Sequence, residues 1–408
     1  MTEAETRLDL DEALRAILND THSITATAVV ELPAAAGRVL AGELTAPLSL
    51  PPFPASAMDG YAVRSDDAVG PPPYRFRVAG SSFAGRPMTD SIPTGACIRI
   101  FTGAPVPEQL DTVIIQEECE RDGAFIVVDR PIEAGAHVRP VGHDVTAGAR
   151  LMTSGRLLSA FDIGWLAACG MTQATVRKRP TVGLFSNGDE LAEPGQKLRP
   201  GQIFDANRVA LRTLLQQLPV HVIDYGIAAD DPAELRDVLQ QADASCDLVI
   251  TSGGVSVGEA DWVKDAVGEI GTVQLWRLNL KPGKPLAYGR LRHAAFFGLP
   301  GNPVSALVTT LMLVMPTLQR LCGADPAPPL GVPAVLRGTL RHQPGREEFQ
   351  RGTLVNSNGA LEVTVTGDQS SNRLSSFAAA NCLIRIAKDC GDLSDGARVT
   401  ALPFRGLL

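Results

Sequence analysis

The sequence predicts a multidomain chain of the α/β plus β class: a doubly wound α/β domain, an inserted β domain ahead of it and a C-terminal β domain. Three observations predict it. From about residue 178, apolar strand-like runs alternate with helical patterns, as in a parallel sheet with crossover helices. Residues 45–145 are rich in proline and glycine, with short β-type runs between the turns. A proline-rich linker, ADPAPPLGVP, leads into a last β-rich stretch. The 408 residues fit two to four domains at about 150 residues each.

Taken in order, the elements are these. Leu8, Leu10, Ala13, Leu14 and Ile17 fall at helical spacing, and a second helical pattern covers Ala34–Leu44. Both are expected to pack with the helical stretch Ser159–Cys169. Residues 1–44 and 146–177 then form one unit, and 45–145 is an insertion carrying strands at Tyr74–Val78, Cys97–Phe101, Thr112–Gln116 and Phe125–Val128. The α/β domain, 178–326, has predicted strands at Thr181–Phe185, Val220–Gly226, Asp247–Thr251 and Ala294–Leu299. Its predicted helices are Ala206–Leu218, Pro232–Asp243, Asp261–Ile270 and Pro303–Leu321. Residues 327–408 form the last β domain.

Composition narrows the function. Thirty-seven basic against 45 acidic residues give a net charge of −8, which disfavours general nucleic-acid binding. Any anion must be held by local backbone and a few cations. The acidic start MTEAETRLDL does not read as a secretory signal, and no apolar run of about 18 residues calls for a membrane span. Seven cysteines form no CxxC pair, so neither a disulfide scaffold nor a zinc site is expected. These features read as a cytoplasmic protein with reduced thiols.

Five segments can carry chemistry. LVITSGGVSVGEADWVKDAV (248–267) runs from a strand through Ser252, Gly253 and Gly254 into a helix. Such a junction suits a phosphate-like group on exposed amides, or is simply a tight turn that needs glycine. FFGLPGNPVSALVTTL (296–311) is a second junction, shaped by Pro300 and Pro303. In NLKPGKPLAYG (279–289), Lys281 and Lys284 flank a Pro-Gly turn; they suit an oxyanion or are solvated hairpin lysines. Glu190, Asp230, Asp231, Glu259 and Asp261 follow the strands, where carboxylates can hold magnesium with substrate oxygens. Asp231 reads equally as a helix cap and Asp261 as a helix-dipole charge. Last, PPFPASAMDGYAV (51–63) stiffens a loop around Asp59, a proton acceptor, a water-orienting group or a turn residue.

Together the segments SAMDGYAVR (56–64), FTGAPVP (101–107), SNGDEL (186–191), TSGGVSVGEADWVK (251–264), KPGKPLAYG (281–289) and GLPGNPVSALV (298–308) resemble the MoeA family, molybdopterin molybdenumtransferases related to the C-terminal domain of gephyrin. The resemblance covers essentially the whole chain. It implies an elongated four-domain fold with a MogA-like α/β domain. The implied reaction takes adenylylated molybdopterin and molybdate to molybdenum cofactor and AMP, assisted by Mg2+ or another divalent cation. It also implies a homodimer in which one protomer's β domain faces the other's α/β domain. Other cofactor-biosynthesis proteins are possible partners, and neither nucleic acid nor membrane is expected.

Carried over by motif, Asp59, Thr102, Glu190, Asp230, Asp261, Lys281 and Lys284 are the implied catalytic set. Glu190, Asp230 and Asp261 are the implied metal ligands. Ser252, Gly253, Gly254, Arg277, Pro300, Pro303, Arg139, Arg351 and Ser371 are the implied substrate contacts. One stretch departs from the family: RPVGHD stands where RRxGED is usual, leaving Arg139 and Asp144 but placing Pro140 and His143. A non-catalytic molybdopterin-binding scaffold and a molybdopterin adenylyltransferase are the alternative readings.

Overall fold

The structure is a computed structural model and describes residues 6–254 and 262–404. Seven strands build the sheet of the α/β unit: β1 (Thr6–Leu8), β2 (Thr181–Asn187), β3 (His221–Ala228), β4 (Leu248–Ser252), β5 (Thr272–Leu278), β6 (Pro285–Arg290) and β7 (Ala295–Leu299). Their order is β1-β5-β6-β7-β4-β2-β3. The helices around it are α1 (Leu10–Asp20), α2 (Ala206–Leu215), α3 (Pro232–Ser245), α4 (Trp262–Ile270) and α5 (Pro303–Leu321).

The sheet is mixed, not wholly parallel as the alternation alone suggests. β3, β2, β4 and β7 pair in parallel, as do β1 and β5. β6 runs against both neighbours, because the KPGKP segment reverses the chain directly after β5. The central strands are apolar throughout because helices cover both faces. Leu184, Ile250 and Phe297 pack toward α2 and α5, while Phe185, Val249 and Phe296 pack toward α3 and α4. The helix α5 is long and apolar enough for a membrane span, yet 89% of its apolar window is buried. It is the core helix of this unit.

The chain start differs from expectation. Leu10, Ala13 and Ile17 of α1 join the α/β core, and β1 adds an edge strand to its sheet. Residues 6–20 therefore do not pack with 146–177. The expected helix Ala34–Leu44 is confined to Leu32–Ala35. Gly37 at φ 71° breaks it, and Val39 and Leu40 bridge to Leu157 and Val176. In this second unit Thr27–Glu31 pairs with Gln173–Arg177 and packs with the helix Ala160–Ala168, whose capping box joins Ser159 and Asp162. The inserted β unit is a six-stranded sheet. In the C-terminal unit, Glu347–Ser357 pairs with both Ala360–Val365 and Cys382–Ile386, which closes a five-stranded barrel through Val332–Arg337 and Arg398–Pro403.

One buried cation holds the start of α2. The Arg208 guanidinium bonds Asp205 at 2.9 Å, Asp224 at 2.6 and 2.7 Å and Glu193 at 2.5 Å. Its carboxylate partners draw its pKa upward against the effect of burial. Arg208→Met is expected to destabilise the α/β unit by about 3 kcal/mol, since buried carboxylates lose their counterion. A urea titration of the full chain checks this; an unchanged midpoint contradicts it.

Candidate functional site

The parallel strands β2, β4 and β7 end level with one another: Ser186 is in register with Ser252, and Ser252 with Leu299. Beyond them lie the two glycine junctions. Gly253 N donates to Leu299 O at 3.1 Å, and a Cβ added at Gly301 would lie 3.9 Å from Gly253 Cα, so the two junctions run side by side. Gly254 has φ 66°, and a Cβ there would stand 2.2 Å from Asn187 Oδ1 and 2.5 Å from Val263 Cγ2. Only glycine fits, so the backbone is left bare at the rim where ligands of open α/β sheets sit. Pro303 opens α5 at its first turn. The next amide, Val304 N, donates to Ser371 O at 3.0 Å, bringing the C-terminal unit onto this rim. Ser186 Oγ, Asn187 Oδ1 and Thr251 Oγ1 are buried here without a partner among the described residues, which is unusual for polar atoms.

Carboxylates stand beyond β2 and β3. Asn187 Nδ2 donates to Asp230 Oδ1 at 2.6 Å, and Asp230 N donates to Asp189 Oδ1 at 3.2 Å. Glu190 is exposed and folds over Gly188. Asp231 is the α3 cap, accepting from Ala233 N and Glu234 N. Asp261 and Glu259 lie outside the described residues. Among the described residues no three His, Cys, Asp or Glu side chains gather as a metal site.

Cations gather at the opposite edge of the rim. A cavity of about 420 Å3 is lined by Arg7, Arg277, Lys281, Lys284 and Arg346, among others. The KPGKP segment is not a free hairpin: Leu280–Lys281 pairs in parallel with Glu347–Glu348 of the C-terminal unit. Gly283, at φ 116°, lies against α5, where a Cβ would come within 2.7 Å of Thr309 Oγ1. The two lysines differ. Lys281 Nζ is 3.0 Å from Glu348 Oε1, and the buried Glu348 also meets His342 Nδ1 at 2.6 Å. Lys284 is exposed, with no ion pair among the described residues.

Arg351 does not line this cavity. It is 1% exposed, donates to Ser376 Oγ at 3.0 Å and Ser370 O at 3.3 Å, and burial lowers its pKa to about 10. It braces the loop that carries Ser371. The cavity cations that sequence reasoning misses are Arg7 and Arg346. Arg346 follows another of the chain's Pro-Gly pairs, QPGR, a local signal that resembles KPGKP.

On the inserted β unit, Asp59 and Thr102 come together. Asp59 Oδ1 accepts from Thr102 N at 2.8 Å and Thr102 Oγ1 at 2.7 Å. Gly60 lets the loop lie flat on the sheet, since a Cβ there would stand 2.0 Å from Ile114 O. Arg139, His143 and Asp144 line a separate 460 Å3 cavity with Pro51, Pro52, Phe53 and Gly103. No hydrogen bond among the described residues joins Asp59, Thr102 or Arg139 to the α/β rim.

Bare backbone junctions, a cationic cavity and flanking carboxylates share one rim, the arrangement of α/β proteins that bind anionic ligands at the ends of their strands. Residues 8–170 match the MoeA N-terminal region (domain I and II), 183–320 a probable molybdopterin binding domain and 333–404 the MoeA C-terminal region (domain IV). A molybdopterin molybdenumtransferase from Haemophilus influenzae is 40% identical over 98% of this chain and 100% of its own length. Molybdopterin molybdenumtransferase 2 of Mycobacterium tuberculosis is 35% identical over 91% of this chain and 93% of its own. Gephyrin of Dictyostelium discoideum is 32% identical over 96% of this chain and 62% of its own. The crystal structure of a molybdopterin biosynthesis moeA protein from Pyrococcus horikoshii superposes with a TM-score of 0.83 at 29% identity, covering 97% of this chain and 99% of that one. The chain belongs to the MoeA family of molybdopterin molybdenumtransferases.

The Asp59 geometry has a pH consequence. The Thr102 N–H, and then its hydroxyl, hold the Asp59 carboxyl below its ordinary value of 3.8. A depressed folded-state pKa means that the carboxylate, and the stability it adds, persist above 3.8 and fade only as pH falls through the lower folded value. In an NMR titration Asp59 is expected to titrate below 3.8, and Thr102→Val is expected to move that midpoint upward. Equal midpoints in the two proteins would contradict the assignment.

Proposed function

We propose that this chain carries out the metal-insertion step of molybdenum cofactor biosynthesis: adenylylated molybdopterin and molybdate enter, and molybdenum cofactor and AMP leave. The observation that carries the reading is the cationic cavity of Arg7, Arg277, Lys281, Lys284 and Arg346 beside the junctions at 252–254 and 300–302. A tetrahedral dianion such as molybdate suits the cavity, with Lys284 as the free ammonium and Lys281 held in place by Glu348. The phosphates of the adenylylated substrate lie on the amides of the two junctions, next to the unpartnered oxygens of Ser186, Asn187 and Thr251. There the positive end of α5 and the N–H groups of Gly254, Gly301 and Asn302, which donate to nothing among the described residues, stabilise charge that develops as the phosphoanhydride breaks.

The donor set at the acidic end fits a hard divalent cation. Glu190, Asp230 and the unpartnered Asn187 Oδ1 are oxygen donors, and magnesium is commonly held by one or two carboxylates with substrate oxygens completing its shell. Bound there, Mg2+ would neutralise phosphate charge. Asn187 orients Asp230 through its amide.

In this reading the protein acts as a cytoplasmic homodimer. Asp59 and Thr102 then face the rim of the partner protomer. Mixing Asp59→Ala and Lys284→Ala proteins is then expected to give, at limiting molybdate, more activity than either shows alone, because heterodimers assemble one intact site. No such gain, with mixed dimers demonstrated, counts against the shared site.

The direct assay supplies adenylylated molybdopterin, molybdate and Mg2+ and follows AMP. AMP release that requires molybdate is expected, with Lys284→Ala raising the molybdate KM about tenfold or more, the effect of losing a charge-assisted contact. No AMP from the wild type would favour a scaffold, and turnover of molybdopterin with ATP would favour adenylyl transfer.

A further inference from the structure

The first turn of α2 reaches both glycine junctions at once. Asn207 Nδ2 donates to Ser252 Oγ and to Gly301 O, each at 2.8 Å. A carbonyl only accepts, so Gly301 O fixes which way the amide points: its nitrogen must face the turn. The same NH2 group faces Ser252 Oγ, which makes the serine the acceptor of that bond. Ser252 is 2% exposed, and its Oγ has no second hydrogen-bond partner among the described residues. With a lone pair taken by Asn207, its hydroxyl proton is directed away from α2. The platform is rigid: Asp205 caps α2 by accepting from Arg208 N at 3.1 Å, and the Arg208 ion network anchors the same turn.

We infer that Asn207 is a positioning residue that sets Ser252 as a hydrogen-bond donor to an anionic oxygen of the substrate and holds the 300–302 turn in step with the 252–254 junction. The inference rests on the reading above, which lays phosphate on these junctions. It adds a polarity requirement that a simple tie between loops lacks. An aspartate at 207 is nearly isosteric, yet it turns a donor into an acceptor. It would draw the Ser252 proton toward α2 and set an oxygen without a proton against Gly301 O. Alanine removes the tie but leaves Ser252 able to rotate and donate.

Calorimetric titration of the full chain with AMP, and with adenosine as the phosphate-free control, tests this. Asn207→Ala is expected to weaken AMP binding about tenfold, the scale of a hydrogen bond to a charged group, and to leave adenosine binding unchanged. Asn207→Asp is expected to weaken AMP more than Asn207→Ala does, at an unchanged melting temperature. In a Ser252→Ala background most of the Asn207→Ala effect should vanish, because the two act as one unit. Equal losses for AMP and adenosine, or an Asn207→Ala effect that persists without the serine hydroxyl, overturn the inference and leave the proposed reaction standing. Failure of the wild type to bind AMP at all overturns the placement of phosphate on this rim, and the role of Asn207 with it.

Discussion

The rim depends first on a guanidinium placed where no lone charge can stay. The Arg208 side chain is 7% exposed, and its three carboxylate partners come from different places. Asp205 caps its own helix, Asp224 sits within β3, and Glu193 belongs to the segment between β2 and α2. Burying such a cation demands all of its partners, so the segment after β2 must fold back onto α2. It does so through the short ribbon of Leu191–Ala192 with Ile203–Phe204, and that return carries Glu190 over Gly188. The same constraint fixes the first turn of α2, from which Asn207 reaches the other two rim loops. Ion networks of this kind often add little net stability; here the network selects one arrangement of three loops.

The cationic cavity follows a related rule across two units. Glu348 is 2% exposed and needs positive or donating neighbours on all sides. Lys281, His342 and Gln350 supply them. Lys281 can reach Glu348 only because Leu280–Lys281 leaves the α/β sheet and adds a strand beside the barrel. The barrel thereby presents Arg346 to a cavity whose other wall is Arg7 and Arg277, partners in the β1–β5 register. The α/β unit supplies four of the five cavity cations and the barrel the fifth, Arg346.

This division explains what could be read from the chain. The two glycine junctions were legible because small residues between an apolar strand and a helical pattern stand out in the chain; that Gly254 leaves no room for a side chain against Asn187 is visible only in the fold. The buried strands were legible as continuous apolar runs. The difference between Lys281 and Lys284 was not, since one motif holds both and the deciding partner, Glu348, lies in another domain. Arg351, an implied substrate contact, is instead turned inward by closure of the barrel, where Ser376 and Ser370 accept from it. Arg7 escaped notice because α1 could be read as amphipathic without saying which core it covers. Its apolar stripe fits either neighbouring unit, and the edge strand β1 settles the choice for the α/β sheet.

Strand order then turns separate side chains into a polarity. Along β1-β5-β6-β7-β4-β2-β3 the rim begins with Arg7, Arg277, Lys281 and Lys284. Among the described residues it then passes the uncharged amides after β7 and β4 and ends with Glu190 and Asp230. Charge therefore changes sign in one direction, although the chain as a whole is at −8. Local fields of this kind act over roughly 10 Å at ordinary ionic strength, shorter than the rim, so the two ends work as distinct environments. In the proposed reading an oxyanion is favoured at one end and repelled at the other. A phosphoanhydride laid across the middle would have its charge met by neutral N–H donors, with a cation on the acidic side. Molybdate and the adenylylated substrate would thereby be set in one order along the rim.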